Sequence, residues 1–138
     1  MLEIHAFIDV EDVEAGAAFY TQALGLTVRR RMTARWIELE GGAIPVHVLG
    51  GRPAEFEAGE ALLRRDFGRH WTPVHLDFIV EDLPPAVERA VAAGGLLEGE
   101  ADHPGYFKMA SFSDPFGNGF DLIELYPGGY EAIAADQA

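Results

Sequence analysis

His5-Ala6-Phe7-Ile8-Asp9-Val10-Glu11-Asp12-Val13 and His75-Leu76-Asp77-Phe78-Ile79-Val80-Glu81-Asp82-Leu83 are one segment written twice. Laid over each other without a gap, they agree at His5/His75, Val10/Val80, Glu11/Glu81 and Asp12/Asp82. The agreement continues through Ala23/Ala93, Gly25/Gly95 and Leu26/Leu96. A long-period repeat sets the architecture before any single residue is read, because each copy is a supersecondary unit that needs a neighbour to bury its apolar face.

Working outward, the first copy begins with a strand over residues 2–10. Ile4, Ala6, Ile8 and Val10 share one of its faces, and His5, Phe7 and Asp9 the other. Asp12 stands at an N-cap and Glu14 in the first turn, where a negative charge suits the helix dipole. Val13, Ala17, Tyr20 and Leu24 make an apolar helical stripe, which Gly25 ends. Strands are predicted over 26–32, 35–40 and 44–49, and Gly50-Gly51 closes the unit.

The second copy predicts a strand over 74–80 and a helix capped by Asp82. Pro84 and Pro85 fall in its first turn, and Leu83, Val87, Ala90 and Gly94 repeat the stripe. Strands follow over 96–100, 106–113 and 120–126, with a turn at 114–118. The predicted organisation is one structural domain of class α+β. It has a first βαβββ module over 1–52, a linker over 53–71, a second module over 72–127 and a tail over 128–138. The linker is expected to carry a short helix within Ala54–Phe67, and the tail a short helix at most. Two such modules can close into one curved mixed sheet with helices outside and a concave cavity inside.

The chain has 138 residues, which suits one compact unit. It has no cysteine, so neither disulfides nor thiol chemistry are available. No leader pattern opens it and no apolar run reaches the ~20 residues of a membrane helix, so a soluble, cytoplasmic protein is expected. A formal net charge of −13 argues against nucleic acid and anionic membranes as partners. The same charge serves solubility or attracts cationic ligands.

On the concave face, the first and last strands of each module bring His5, His47, His75 and Asp121 toward one point. Three imidazoles and a carboxylate suit a first-row divalent metal. His5 and His75 also admit a plainer reading, as a duplicated pair of structural hydrogen-bonding residues. Arg35, Tyr106 and Lys108 lie on or beside strands that could line the cavity and hold an anionic substrate; surface positions are the other reading. Asp9 and Asp77 share the faces of His5 and His75 and could contact those imidazoles from behind, yet along an ideal strand they fall about 6–7 Å away. No nucleophile-bearing turn or phosphate-cradling glycine loop is present.

Two stretches carry a family resemblance. Asp12 to Leu26 resembles the "D…FY…LG" helix of the vicinal oxygen chelate superfamily, and Asp114 to Leu122 resembles its "DPxGNxxEL" hairpin. That superfamily includes glyoxalase I, extradiol dioxygenases and bleomycin-resistance proteins. The resemblance covers residues 2–126 and implies the paired βαβββ fold, a homodimer and metal ligands at His5, His47, His75 and Asp121. It implies a divalent ion (Fe, Ni, Zn, Mn or Co) and a small substrate with vicinal oxygens. The ion would serve a lyase, isomerase or dioxygenase, as a Lewis acid or as an activator of dioxygen. The sequence departs from glyoxalase I, whose second and fourth ligands are glutamates: His47 and Asp121 stand there, and Glu124 falls on the other face of its strand. The alternative implied by the same resemblance is a metal-free dimeric binding protein that sequesters a small, possibly cationic, ligand.

Overall fold

The structure is a computed structural model that describes residues 1–136. Module one is β1 (Ala6–Val10), α1 (Val13–Leu24), β2 (Thr27–Thr33), β3 (Trp36–Glu40) and β4 (Val46–Gly50). Module two is β7 (Leu76–Ile79), α2 (Leu83–Ala92), β8 (Leu96–His103), β9 (Phe107–Ser113) and β10 (Gly119–Leu125). Between them lie β5 (Glu55–Ala58) and β6 (Ala61–Arg64), and α3 (Gly129–Asp136) follows. The class is α+β, with one four-stranded sheet per module in the orders β1-β4-β3-β2 and β7-β10-β9-β8. In each, the first strand pairs in parallel with the last, setting Phe7 opposite His47 and Asp77 opposite Asp121.

Ile8, Val10, Val46, Val48, Ile37 and Leu39 form the buried face of sheet one, as the alternation requires. Both modules feed a single core rather than two. Phe19, which the stripe Val13, Ala17, Tyr20, Leu24 leaves out, explains how. It widens the apolar surface of α1 beyond what one sheet covers and packs edge-on against Tyr20 (4.9 Å) and Phe120 of β10 (6.1 Å). The helices therefore meet one another at the junction, and among the described residues no strand of one sheet pairs with a strand of the other.

The caps show where local signals held. Asp12 Oδ1 accepts from Ala15 N at 2.9 Å. Asp82 occupies the equivalent place but makes no such bond, because the prolines after Leu83 have no N–H to offer. Glu124 does the work instead: its Oε2 accepts from Leu83 N at 2.7 Å, from the face of β10 turned toward α2.

The linker helix is not formed. Glu55–Ala58 and Ala61–Arg64 make an antiparallel hairpin, with Phe56 opposite Leu63. Gly59, at φ +62°, sits first in the two-residue turn between them. That glycine and the Glu-Phe-Glu alternation before it are hairpin signals that outweigh helix-forming composition here. In the tail, α3 is the short helix, and residues 137–138 lie outside the described ones.

Candidate metal centre

His75 stands one residue before β7 begins, outside the ladder, so its ring is free to fold back along the strand. Its Nε2 lies 3.1 Å from Asp77 Oδ1 and 3.5 Å from Asp121 Oδ2. Donor atoms of His75, Asp77 and Asp121 all lie within 4.8 Å of one another, the one such group among the described residues. Asp121 is 6% exposed, and its Oδ1 is buried without a hydrogen-bond partner. A buried carboxylate oxygen with nothing to bind is costly, and a cation would satisfy it.

The electrostatics point the same way. Burial, and then the negative charge of Asp121, raise the Asp77 carboxyl above the usual aspartate range. Trp71 closes one side, its ring centroid 4.8 Å from that of His75. One imidazole and two carboxylates are a harder donor set than two imidazoles and one carboxylate, suited to Mn²⁺ or Fe²⁺ as well as Zn²⁺. The residues present therefore fit a divalent ion.

His5 and His47 also meet, but in the other module. His5 Nδ1 and His47 Nε2 are 2.8 Å apart, and His5 Nε2 is 2.7 Å from Glu3 Oε1. His47 is buried between rings, stacked on Phe7 at 4.3 Å, and Trp36 Nε1 donates to its Nδ1 at 2.9 Å. Burial lowers the His47 pKa, against an opposing pull from Glu38. Glu38, its ladder partner, is 1% exposed and clamped by Arg30 and Arg29. The Arg30 hydrogen bond holds the Glu38 carboxyl below the usual range. The four expected ligands thus form two pairs, one per module, and do not gather into one group within the chain. Each pair follows from first and last strands being neighbours; the separation of the pairs follows from modules joined through helices rather than through sheet edges.

The expected substrate-binding residues lie elsewhere. Arg35 is in the exposed β2–β3 turn. Tyr106 is in the β8–β9 turn, where its hydroxyl donates to Asp136 of α3. Lys108 is paired with Glu124 at 3.6 Å, on the α2 side of the sheet and opposite the side of Asp121. A cavity of about 320 Å³ does open beside His75, lined by Phe7, Asp9, Arg65, Phe78 and Asn118 among others. Asp77, which strand spacing set too far from His75, and Trp71 are the site residues absent from the expected ligands. The ideal-strand spacing hid Asp77, and a signal for Trp71 was available: Gly119, where any Cβ would lie 2.1 Å from the indole.

The glyoxalase-like domain family model matches residues 5–123. The chain belongs to the glyoxalase-like family. This places it in the vicinal oxygen chelate superfamily, as the two motifs imply. Among solved structures, this glyoxalase-like protein is similar to the genomically encoded fosfomycin resistance protein FosX of Listeria monocytogenes. The identity is 16% and the TM-score 0.69, over 92% of this chain and 97% of that one. A variant of that protein is complexed with Mn(II) and a dihydroxypropylphosphonic acid. Lactoylglutathione lyase from Agrobacterium tumefaciens gives 17% identity and a TM-score of 0.64, over 89% of this chain and 92% of that one. A glyoxalase/bleomycin resistance protein/dioxygenase from Nocardioides gives 23% identity and 0.62, over 94% and 86%. At these identities the likeness is one of fold. No curated protein matches the chain. Among the described residues, no helix is long and apolar enough to cross a membrane.

Proposed function

We propose that this protein is a divalent-metal-dependent enzyme acting on a small substrate with adjacent oxygens, as a lyase, isomerase or dioxygenase. The observation that carries this is the buried, unpartnered Asp121 oxygen beside His75 and Asp77. His75, Asp77 and Asp121 would hold the ion. Bound there, it would act as a Lewis acid on the chelating oxygens of the substrate. The chain's own residues do the rest. Phe7 offers an apolar wall to the carbon skeleton and excludes water, while Arg65 supplies a donor to its polar end. Trp71 restricts entry from the side of His75.

A homodimer belongs to this proposal. β1 and β7 are both edge strands, each paired on one side, and the neighbouring Phe7 and Ile79 are about half exposed. A second copy laid along these edges would cover them.

The rival is the metal-free binding protein, favoured by the aromatic cavity and by the net charge of −13. Metal analysis on protein purified without a histidine tag separates the two. The enzyme reading expects one ion per chain, and a loss of affinity of about 100-fold or more in His75→Ala. Absence of an ion under every loading condition, with tight binding of an organic cation, would establish the rival.

A further inference from the structure

We infer that Trp36 decides which of the two histidine sites takes the ion. It locks His47 and His5 into a closed hydrogen-bond chain that offers a cation no lone pair. The chain runs Trp36 Nε1 to His47 Nδ1 at 2.9 Å, His47 Nε2 to His5 Nδ1 at 2.8 Å, and His5 Nε2 to Glu3 Oε1 at 2.7 Å. Its direction is set at both ends. An indole N–H can only donate, and an ionised carboxylate can only accept.

Donation from Trp36 makes His47 Nδ1 an acceptor, so the neutral ring carries its proton on Nε2. That N–H then donates to His5 Nδ1, which forces the His5 proton onto Nε2, where Glu3 accepts it. Both rings are held in the Nε2–H tautomer, and every lone pair is used. A metal-bound histidine has the reverse arrangement: one nitrogen gives its lone pair to the metal and the other donates its N–H to an acceptor. His47 cannot do this through Nε2 while the indole faces its Nδ1.

The distances otherwise suit an ion. Two nitrogens bound to one ion at ~2.0–2.1 Å lie roughly 3 Å apart. The His5–His47 separation of 2.8 Å is close to that. The pair is therefore a latent site held shut by one side chain, and the His75 group is left as the open one. Trp36 is a positioning residue here, since it acts through His47.

The tautomer lock does not depend on the proposed function, and its first test uses metal-free wild-type protein. Long-range ¹H–¹⁵N correlation spectra should show His47 and His5 both protonated on Nε2. Protonation of His47 on Nδ1 would overturn the inference, whether or not the protein proves to be an enzyme. The second test is zinc titration in a His75→Ala background. With Trp36 present the expected stoichiometry is zero ions per chain; with Trp36→Phe added it is one. Zinc held by His5 and His47 while Trp36 is intact would overturn the inference, as would a folded Trp36→Phe variant that still binds none. If Trp36→Phe fails to fold, the tautomer spectra decide.

Discussion

Replacing Asp114 with alanine is expected to cost about 3–5 kcal/mol of stability and lower the melting temperature by roughly 10 °C or more. Asp114 is 3% exposed and serves as a hub for both modules. Its Oδ1 accepts from Phe116 N at 2.8 Å and Asn118 N at 2.9 Å, and its Oδ2 from Asn118 Nδ2 at 2.9 Å. The Tyr20 hydroxyl of α1 also donates to Oδ2, at 2.5 Å, across the module junction. Alanine leaves these donors buried without their acceptor, and each orphaned group costs about 1–3 kcal/mol before water or relaxation recovers part of it. Tyr20→Phe removes one donor and leaves the carboxylate three, so about 1–2 kcal/mol is expected.

The two variants also differ with pH. Burial, and then the charge of Asp114, raise the Tyr20 phenol well above its ordinary value. Its contribution is fully present below the unfolded tyrosine value and is lost as pH rises above it. Tyr20→Phe should flatten that alkaline loss. Chemical denaturation across pH measures both effects. An Asp114→Ala protein within about 1 kcal/mol of wild type would remove the hub from the account.

Asp77→Asn is expected to act with opposite signs on binding and on stability. The affinity for a divalent ion should fall by about 10–100-fold or more, because one of three donors loses its charge. The metal-free protein should be as stable as wild type or more stable by up to about 1 kcal/mol, since Asp77 is more than a third exposed and solvent screens the gain. Folding holds the Asp77 carboxyl above its ordinary value, first through burial and then through Asp121. Its ionised form is thus disfavoured by folding, and wild type loses this stability as pH rises from the unfolded value through the folded one. The gap between Asp77→Asn and wild type should open over that window. Thermal melts with and without ion show both signs. An Asn variant that is less stable without metal and binds the ion unchanged would make the carboxylate pair merely structural.

Much of this fold is legible in the sequence because the signals are local and duplicated. The His5 and His75 segments, the alternation of Ile8 and Val10 and the glycine after α1 each specify their own element. Neighbouring first and last strands set Phe7 opposite His47 and Asp77 opposite Asp121, and His5 and His75, each one residue before its strand, reach the same partners from the strand ends. What escaped depends on relations between modules or on departures from ideal geometry. Phe19 lies off the stripe and binds α1 to the other module, so the pairs separate instead of meeting. His75 precedes its strand, so Asp77 comes within 3.1 Å where a regular ladder would hold them apart. The α2 cap comes from Glu124, 41 residues away, because prolines remove the local donors. The linker hairpin turned on Gly59, a single residue outweighing a helix-like composition.

The most direct test of the central claim is anomalous diffraction from crystals soaked in manganese(II) or cobalt(II). A peak about 2.0–2.3 Å from His75 Nε2 and from carboxylate oxygens of Asp77 and Asp121, and none between His5 and His47, is the predicted result. A peak between His5 and His47, with none at His75, would contradict it.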